Sequence, residues 1–87
     1  VDKTNNPRLK KFQFALLVAD GATGHIYNTD LELFINDGKR TCFIFDNFEA
    51  AKDFVTKLAN VNDTYEYAIY NGKYELVEHI LAKRWWK

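Results

Sequence analysis

The sequence predicts an α+β domain: a small, mostly antiparallel sheet of about four to five strands, with two hairpins and one helix packed on a face. Three observations carry this. Asp37-Gly38 and Asn71-Gly72 are two-residue turn signals, each set between runs rich in β-branched and aromatic residues. Residues 46–60 repeat apolar side chains at helical spacing. A helix stripe and an amphipathic sheet each need a covering layer, and packing one on the other supplies it.

The first strand is read in "KKFQFALLVAD", residues 10–20. Phe12, Phe14, Leu16 and Val18 alternate with Gln13, Ala15, Leu17 and Ala19, and both sets are largely apolar. That pattern suits a central strand covered on two faces. "DGATGHIYNTD", residues 20–30, is turn-rich and reads as a loop with a brief extended stretch over 25–27. Residues 31–45 then form a hairpin whose turn sets the register. Ile35 faces Arg40, Leu33 faces Cys42 and Leu31 faces Ile44, with Phe34, Phe43 and Phe45 on the opposite side.

In the helix, Asp46 is placed to cap the first turn and Glu49, three residues on, to complete a capping box. Ala51, Phe54, Val55, Leu58 and Val61 form the buried stripe, and Asn60 and Asn62 are stop residues. A strand over 64–70 follows. Segment 74–86 reads either as a strand or as a second helix. The Asn71-Gly72 turn favours a hairpin in which Ile69 opposes Tyr74, Tyr67 opposes Leu76 and Tyr65 opposes Glu78. Residues 71–83, "NGKYELVEHILAK", resemble part of an ankyrin-repeat helix, but one such unit without neighbours cannot build that fold.

The chain has 87 residues, enough for a single domain over 9–87 preceded by a flexible arm over 1–8. A domain this small buries only roughly 60–65% of its unfolded surface, so its core must be dense. Seven Phe, five Tyr and two Trp supply that core and exclude a disordered class. A lone Cys, Cys42, allows no internal disulfide and points to a reducing, cytoplasmic setting. The polar opening, "VDKTNNPRLKK", lacks the apolar core of a signal peptide, and no apolar run has the length of a membrane span. With no Met present, either the initiator has been removed or the sequence starts inside a longer chain.

Catalytic sets are not legible. No Ser is present, and Cys42 falls mid-strand on an apolar face, where a thiol acts as a small hydrophobe. His25 and His79 lack partners at metal-ligand spacing. "DGATGH" lacks the Lys-Ser/Thr ending of a phosphate loop. The expectation is a non-enzyme without metal or cofactor.

Charge is balanced overall but uneven. Lys3, Arg8, Lys10 and Lys11 make one end basic, Lys83, Arg84 and Lys87 the other, and the middle is acidic. The aromatic surplus and the acidic body imply a small accessory factor or inhibitor that docks on a larger protein. The Ser-free, Lys/Asn/Phe/Tyr-rich composition resembles that of small bacteriophage and mobile-element proteins. Phe34, Phe43, Tyr70, Arg84, Trp85 and Trp86 are the candidate partner-binding residues, with one Trp capping the core and the other meeting the partner or lying along the surface. The alternatives are a single-stranded nucleic-acid binder that uses the basic termini and aromatic stacking, and a subunit that assembles with its own copies.

Overall fold

The structure, a computed structural model, describes residues 9–32 and 41–85. Its elements run β1 (Phe14–Asp20), β2 (Cys42–Phe45), α1 (Phe48–Val61), β3 (Tyr65–Tyr70), β4 (Leu76–Ile80) and a closing 3₁₀ turn, Lys83–Trp85. The four strands form one antiparallel sheet in the order β2-β1-β3-β4, and α1 packs on one face. The expected Asp37-Gly38 turn lies outside the described residues, as do Leu33, Phe34, Ile35, Arg40, Trp86 and the arm over 1–8.

β1 holds an interior position because it is apolar on both faces. Leu16 and Val18 are fully buried toward α1, and Ala15 is fully buried on the opposite face. Its neighbours come from far along the chain. Leu16 pairs with Phe43 on one side and Ile69 on the other, and Val18 pairs with Tyr67. These pairings place Leu16, Val18, Tyr67 and Ile69 under Ala51, Val55 and Ala59 of the helix.

Phe43 and Phe45 lie on this same helix-facing side. Phe54 of α1 covers both, with ring centroids at 4.8 and 5.4 Å. The expectation that Phe43 and Phe45 face away from the core is therefore overturned, whereas Cys42, on the opposite face beside Leu17, is buried as expected. Leu31 does not begin a strand opposite Ile44: Ile44 pairs with Ala15, and Leu31 sits in a bend at φ 62°. Buried Asn28 builds that bend. Its Oδ1 accepts from the amides of Asp30 and Glu32, and its carbonyl accepts from the Leu31 amide.

The helix starts one residue later than the sequence predicts. Asn47, extended at φ −155°, is the N-cap, and its Oδ1 accepts from the Ala50 amide at 2.7 Å. Asp46 instead accepts from Gln13 Nε2, which ties the start of β1 to the end of β2. Ala51, Val55 and Ala59 are buried and Phe54 and Leu58 half-buried, whereas Val61, expected in the stripe, is 82% exposed in the last turn.

Segment 76–80 is a strand, so the hairpin reading of the C-terminal region holds and the helical one does not. The turn is longer than the two residues expected. The Tyr74 amide donates to the Asn71 carbonyl, the Asn71 amide donates to the Glu75 carbonyl, and Tyr74 takes the left-handed φ of 61°. This is a tight turn followed by a left-handed residue, a common three-residue hairpin connection. A register shift at Ile69/Tyr70 accompanies it, so Tyr70 opposes Leu76 and Ile69 opposes Glu78, with Val77 as the extra residue.

Tyr67 is 1% exposed, and its hydroxyl has no hydrogen-bonding partner among the described residues. Burial first, and Tyr65 second, push its pKa from 10.0 up to about 12. Between those values the unfolded chain releases this proton and the folded chain keeps it. The contribution is complete below pH 10 and is lost as pH rises through about 12. Tyr67→Phe is expected to raise stability by about 1 kcal/mol, because it removes a buried group that pays desolvation without a partner. Urea unfolding at neutral and alkaline pH checks both the gain and a flatter alkaline limb.

Candidate functional site

β4 ends the sheet: among the described residues, no strand lies beyond it. Its backbone groups therefore alternate between those bonded to β3 and those directed outward, the arrangement a further strand can join. Leu76, Val77 and Leu81 along this edge are 57%, 45% and 54% exposed. The bulge explains part of this exposure. It sets Leu76 opposite Tyr70, away from the helix, and leaves Val77 without a cross-strand partner.

Cationic residues stand at both ends of the strand. At its start, Lys11 and Lys73 line one recess with Asn71, Gly72 and Glu75. This arrangement depends on Gly72. A Cβ there would lie 2.6 Å from the Lys10 carbonyl oxygen and 3.0 Å from that of Lys11, so only glycine lets the 10–11 segment pack against the turn. Gln13 fixes that segment from the other side: the Lys10 amide donates to Gln13 Oε1, and the Gln13 amide donates to the Lys10 carbonyl. At the far end, Lys83 donates to Asn60 Oδ1, and the Arg84 amide donates to the Asp63 carbonyl, which docks the 3₁₀ turn beside the end of α1.

The acidic groups along the edge have partners. Glu78 points to the helix side and pairs with Lys52 Nζ at 3.0 Å. Glu75 Oε1 accepts from Asn71 Nδ2, and Glu66 meets His79 Nε2.

Of the candidate residues read from the sequence, the structure brings few together. Phe43 is half-buried on the helix side of β2, against Phe54. Tyr70 is half-buried, with its ring centroid 6.4 Å from that of Tyr74. Arg84 is exposed, and Trp85 belongs to the 3₁₀ turn. Phe34 and Trp86 lie outside the described residues. The exposed aromatic that sequence reasoning passed over is Phe12, which is 57% exposed beside Lys11.

Among the described residues no group of three His, Cys, Asp or Glu is placed to hold a metal ion. In the 20–24 turn, Asp20 Oδ2 accepts from the amide and hydroxyl of Thr23. No helix among the described residues is long and apolar enough to cross a membrane.

Fold and edge together define a small α+β domain that presents one open-edged antiparallel sheet. No family model, curated protein or solved structure matches the chain.

Proposed function

We propose that this chain is a non-enzymatic binding module, an accessory or inhibitory factor that docks on a partner protein through the β4 edge. One observation carries the reading: the edge strand exposes Leu76 and Val77, and Leu81 just after its end is exposed too. Apolar side chains beside unpaired backbone groups are what a strand interface buries. The reading shifts the contact from the aromatic set named above to aliphatic residues, with Arg84 at its border. Its test uses Val77→Lys and Leu81→Lys together in cross-linking and capture from cells that carry the protein. The pair is expected to lose the wild type's partner while the domain stays folded by circular dichroism. Equal capture by both proteins overturns the reading.

A second reading, single-stranded nucleic acid, is favoured by the closeness of Phe12 to Lys10 and Lys11 and by the Lys73 side of the same recess. It calls for retention on single-stranded DNA that falls steeply with salt.

A further inference from the structure

We infer that Asn71 is a site of spontaneous covalent modification, in which the Gly72 backbone nitrogen attacks the Asn71 side-chain amide whenever the β3–β4 turn opens. Water is the co-reactant, and the products are aspartate or isoaspartate at position 71, with release of ammonia. The inference is independent of the binding reading above.

The dipeptide supplies the chemistry. The Gly72 nitrogen, having lost its proton to solvent base, bonds to Asn71 Cγ, and the side-chain nitrogen leaves as ammonia with a proton taken from water. The resulting cyclic imide is then opened by water. Cleavage of the bond from nitrogen to Cγ gives aspartate. Cleavage of the bond from nitrogen to the main-chain carbonyl carbon gives isoaspartate, whose main chain runs through Cβ and Cγ. Asparagine amides are labile side chains, and glycine has no side chain to shield its nitrogen from this attack. Asn71 is the only asparagine in the sequence followed by glycine.

The fold can dispense with neither residue. A Cβ at position 72 would lie 2.6 Å from the Lys10 carbonyl oxygen. Asn71 closes the turn with every polar atom it has. Its Oδ1 accepts from the amides of Lys73 and Glu75, each at 2.9 Å, and its Nδ2 donates to Glu75 Oε1 at 2.9 Å. Its backbone amide donates to the Glu75 carbonyl, and its carbonyl accepts from the Tyr74 amide.

The same bonds hold the reaction back. Ring closure needs the Gly72 nitrogen above the plane of the side-chain amide, with the torsions between them free to turn. Residues 73–75 pin Oδ1 and Nδ2, so the closed turn withholds that freedom. The reaction therefore runs from the open turn, at the unfolded-chain rate scaled by the open fraction. Its products weaken the turn in their own right. Aspartate keeps an acceptor for the two amides but sets a carboxylate against that of Glu75, where the amide had donated. Isoaspartate adds a carbon to the main chain, so the bonds to Tyr74 and Glu75 cannot both close.

The experiment incubates the full chain at mildly alkaline pH, in native buffer and in urea. Peptide mapping that separates aspartate from isoaspartate follows the conversion. Asn71 is expected to convert ahead of every other asparagine, and about tenfold or more faster in urea than in native buffer. Glu75→Ala removes the partner of Nδ2. It is expected to speed conversion about threefold in native buffer and to leave the rate in urea unchanged. Glu75→Gln keeps an acceptor in the same place, is expected to match the wild type, and serves should the alanine variant unfold. Amide hydrogen exchange at Tyr74 is expected to be faster in Asn71→Asp than in the wild type, and faster still in the purified isoaspartate form.

Equal rates in native buffer and in urea overturn the inference, as does faster conversion at another asparagine. An effect of Glu75→Ala that persists in urea assigns the protection to local sequence and overturns it equally. So does a Glu75→Gln variant that converts faster than the wild type. Wild-type exchange at Tyr74 in the isoaspartate form overturns the link between the modification and the turn.

Discussion

Asn28→Ala is expected to destabilise the domain by about 3 kcal/mol, the larger of the two strongest effects, because a buried polar hub is lost without replacement. Asn28 is 1% exposed, and its Oδ1 accepts from the amides of Asp30 at 2.9 Å and Glu32 at 3.1 Å. Its backbone amide donates to the Glu32 carbonyl and its carbonyl accepts from Leu31, so one residue closes the whole 28–32 turn. The turn in turn sets Leu31 against the core. Asn28→Leu, of similar volume, tests the cause. It is expected to lose nearly as much as the alanine variant, since the deficit is the missing acceptor and not the space it leaves. Urea unfolding of both variants measures the difference. Recovery by leucine would show that packing, rather than hydrogen bonding, sets the cost.

Gly72→Ala comes next, with an expected loss of about 2 kcal/mol, the usual scale of overpacking. For a domain of this size that lowers Tm by roughly 10 °C. The added carbon meets backbone, the carbonyl oxygens of Lys10 and Lys11, and neither can rotate aside as a side chain would. Gly24→Ala is the matched control. Gly24 has φ 80° and open space around its would-be Cβ, so its cost is conformational alone, about 1 kcal/mol. The order of the two melting temperatures decides whether close approach or backbone strain dominates. The Gly72 variant is also expected to displace the 10–11 segment and so move Lys11 from the recess it shares with Lys73.

Those two glycines show where sequence reading succeeded and where it stopped. Asn71-Gly72 correctly marked a hairpin, but the glycine serves the approach of another segment, and Tyr74 takes the left-handed position instead. A turn signal reports that the chain reverses, and nothing local in it reports which distant backbone must fit alongside. The interior strand was legible because residues 14–19 are apolar on both sides. The helix was legible for its spacing, and its cap was misplaced by one residue because Asp46 and Asn47 are both competent acceptors. Asp46 is engaged by Gln13, a contact across 33 positions. The facing of β2 follows from its pairing with β1 through Leu16–Phe43, a contact between distant positions that the local pattern of residues 31–45 does not encode.

The candidate edge was the least legible part. Leu76, Val77, Ile80 and Leu81 fit one face of a helix, and only the Asn71-Gly72 turn before them favours a strand. Their exposure depends on strand order and on the bulge, neither of which local composition encodes. Aromatic content drew attention to Phe43, yet Phe54 from the helix covers it. Abundance of a residue type is not exposure, and an aliphatic edge carries no compositional mark.

The interior place of β1 has a cost during synthesis. This apolar strand leaves the ribosome first, but its two neighbours, at 42–45 and 65–70, follow much later. Until the latter emerges, "FALLVAD" stays unpaired on one side at least, the kind of segment that invites nascent-chain association or chaperone capture. Productive assembly of this sheet therefore waits until β3 has emerged beside β1.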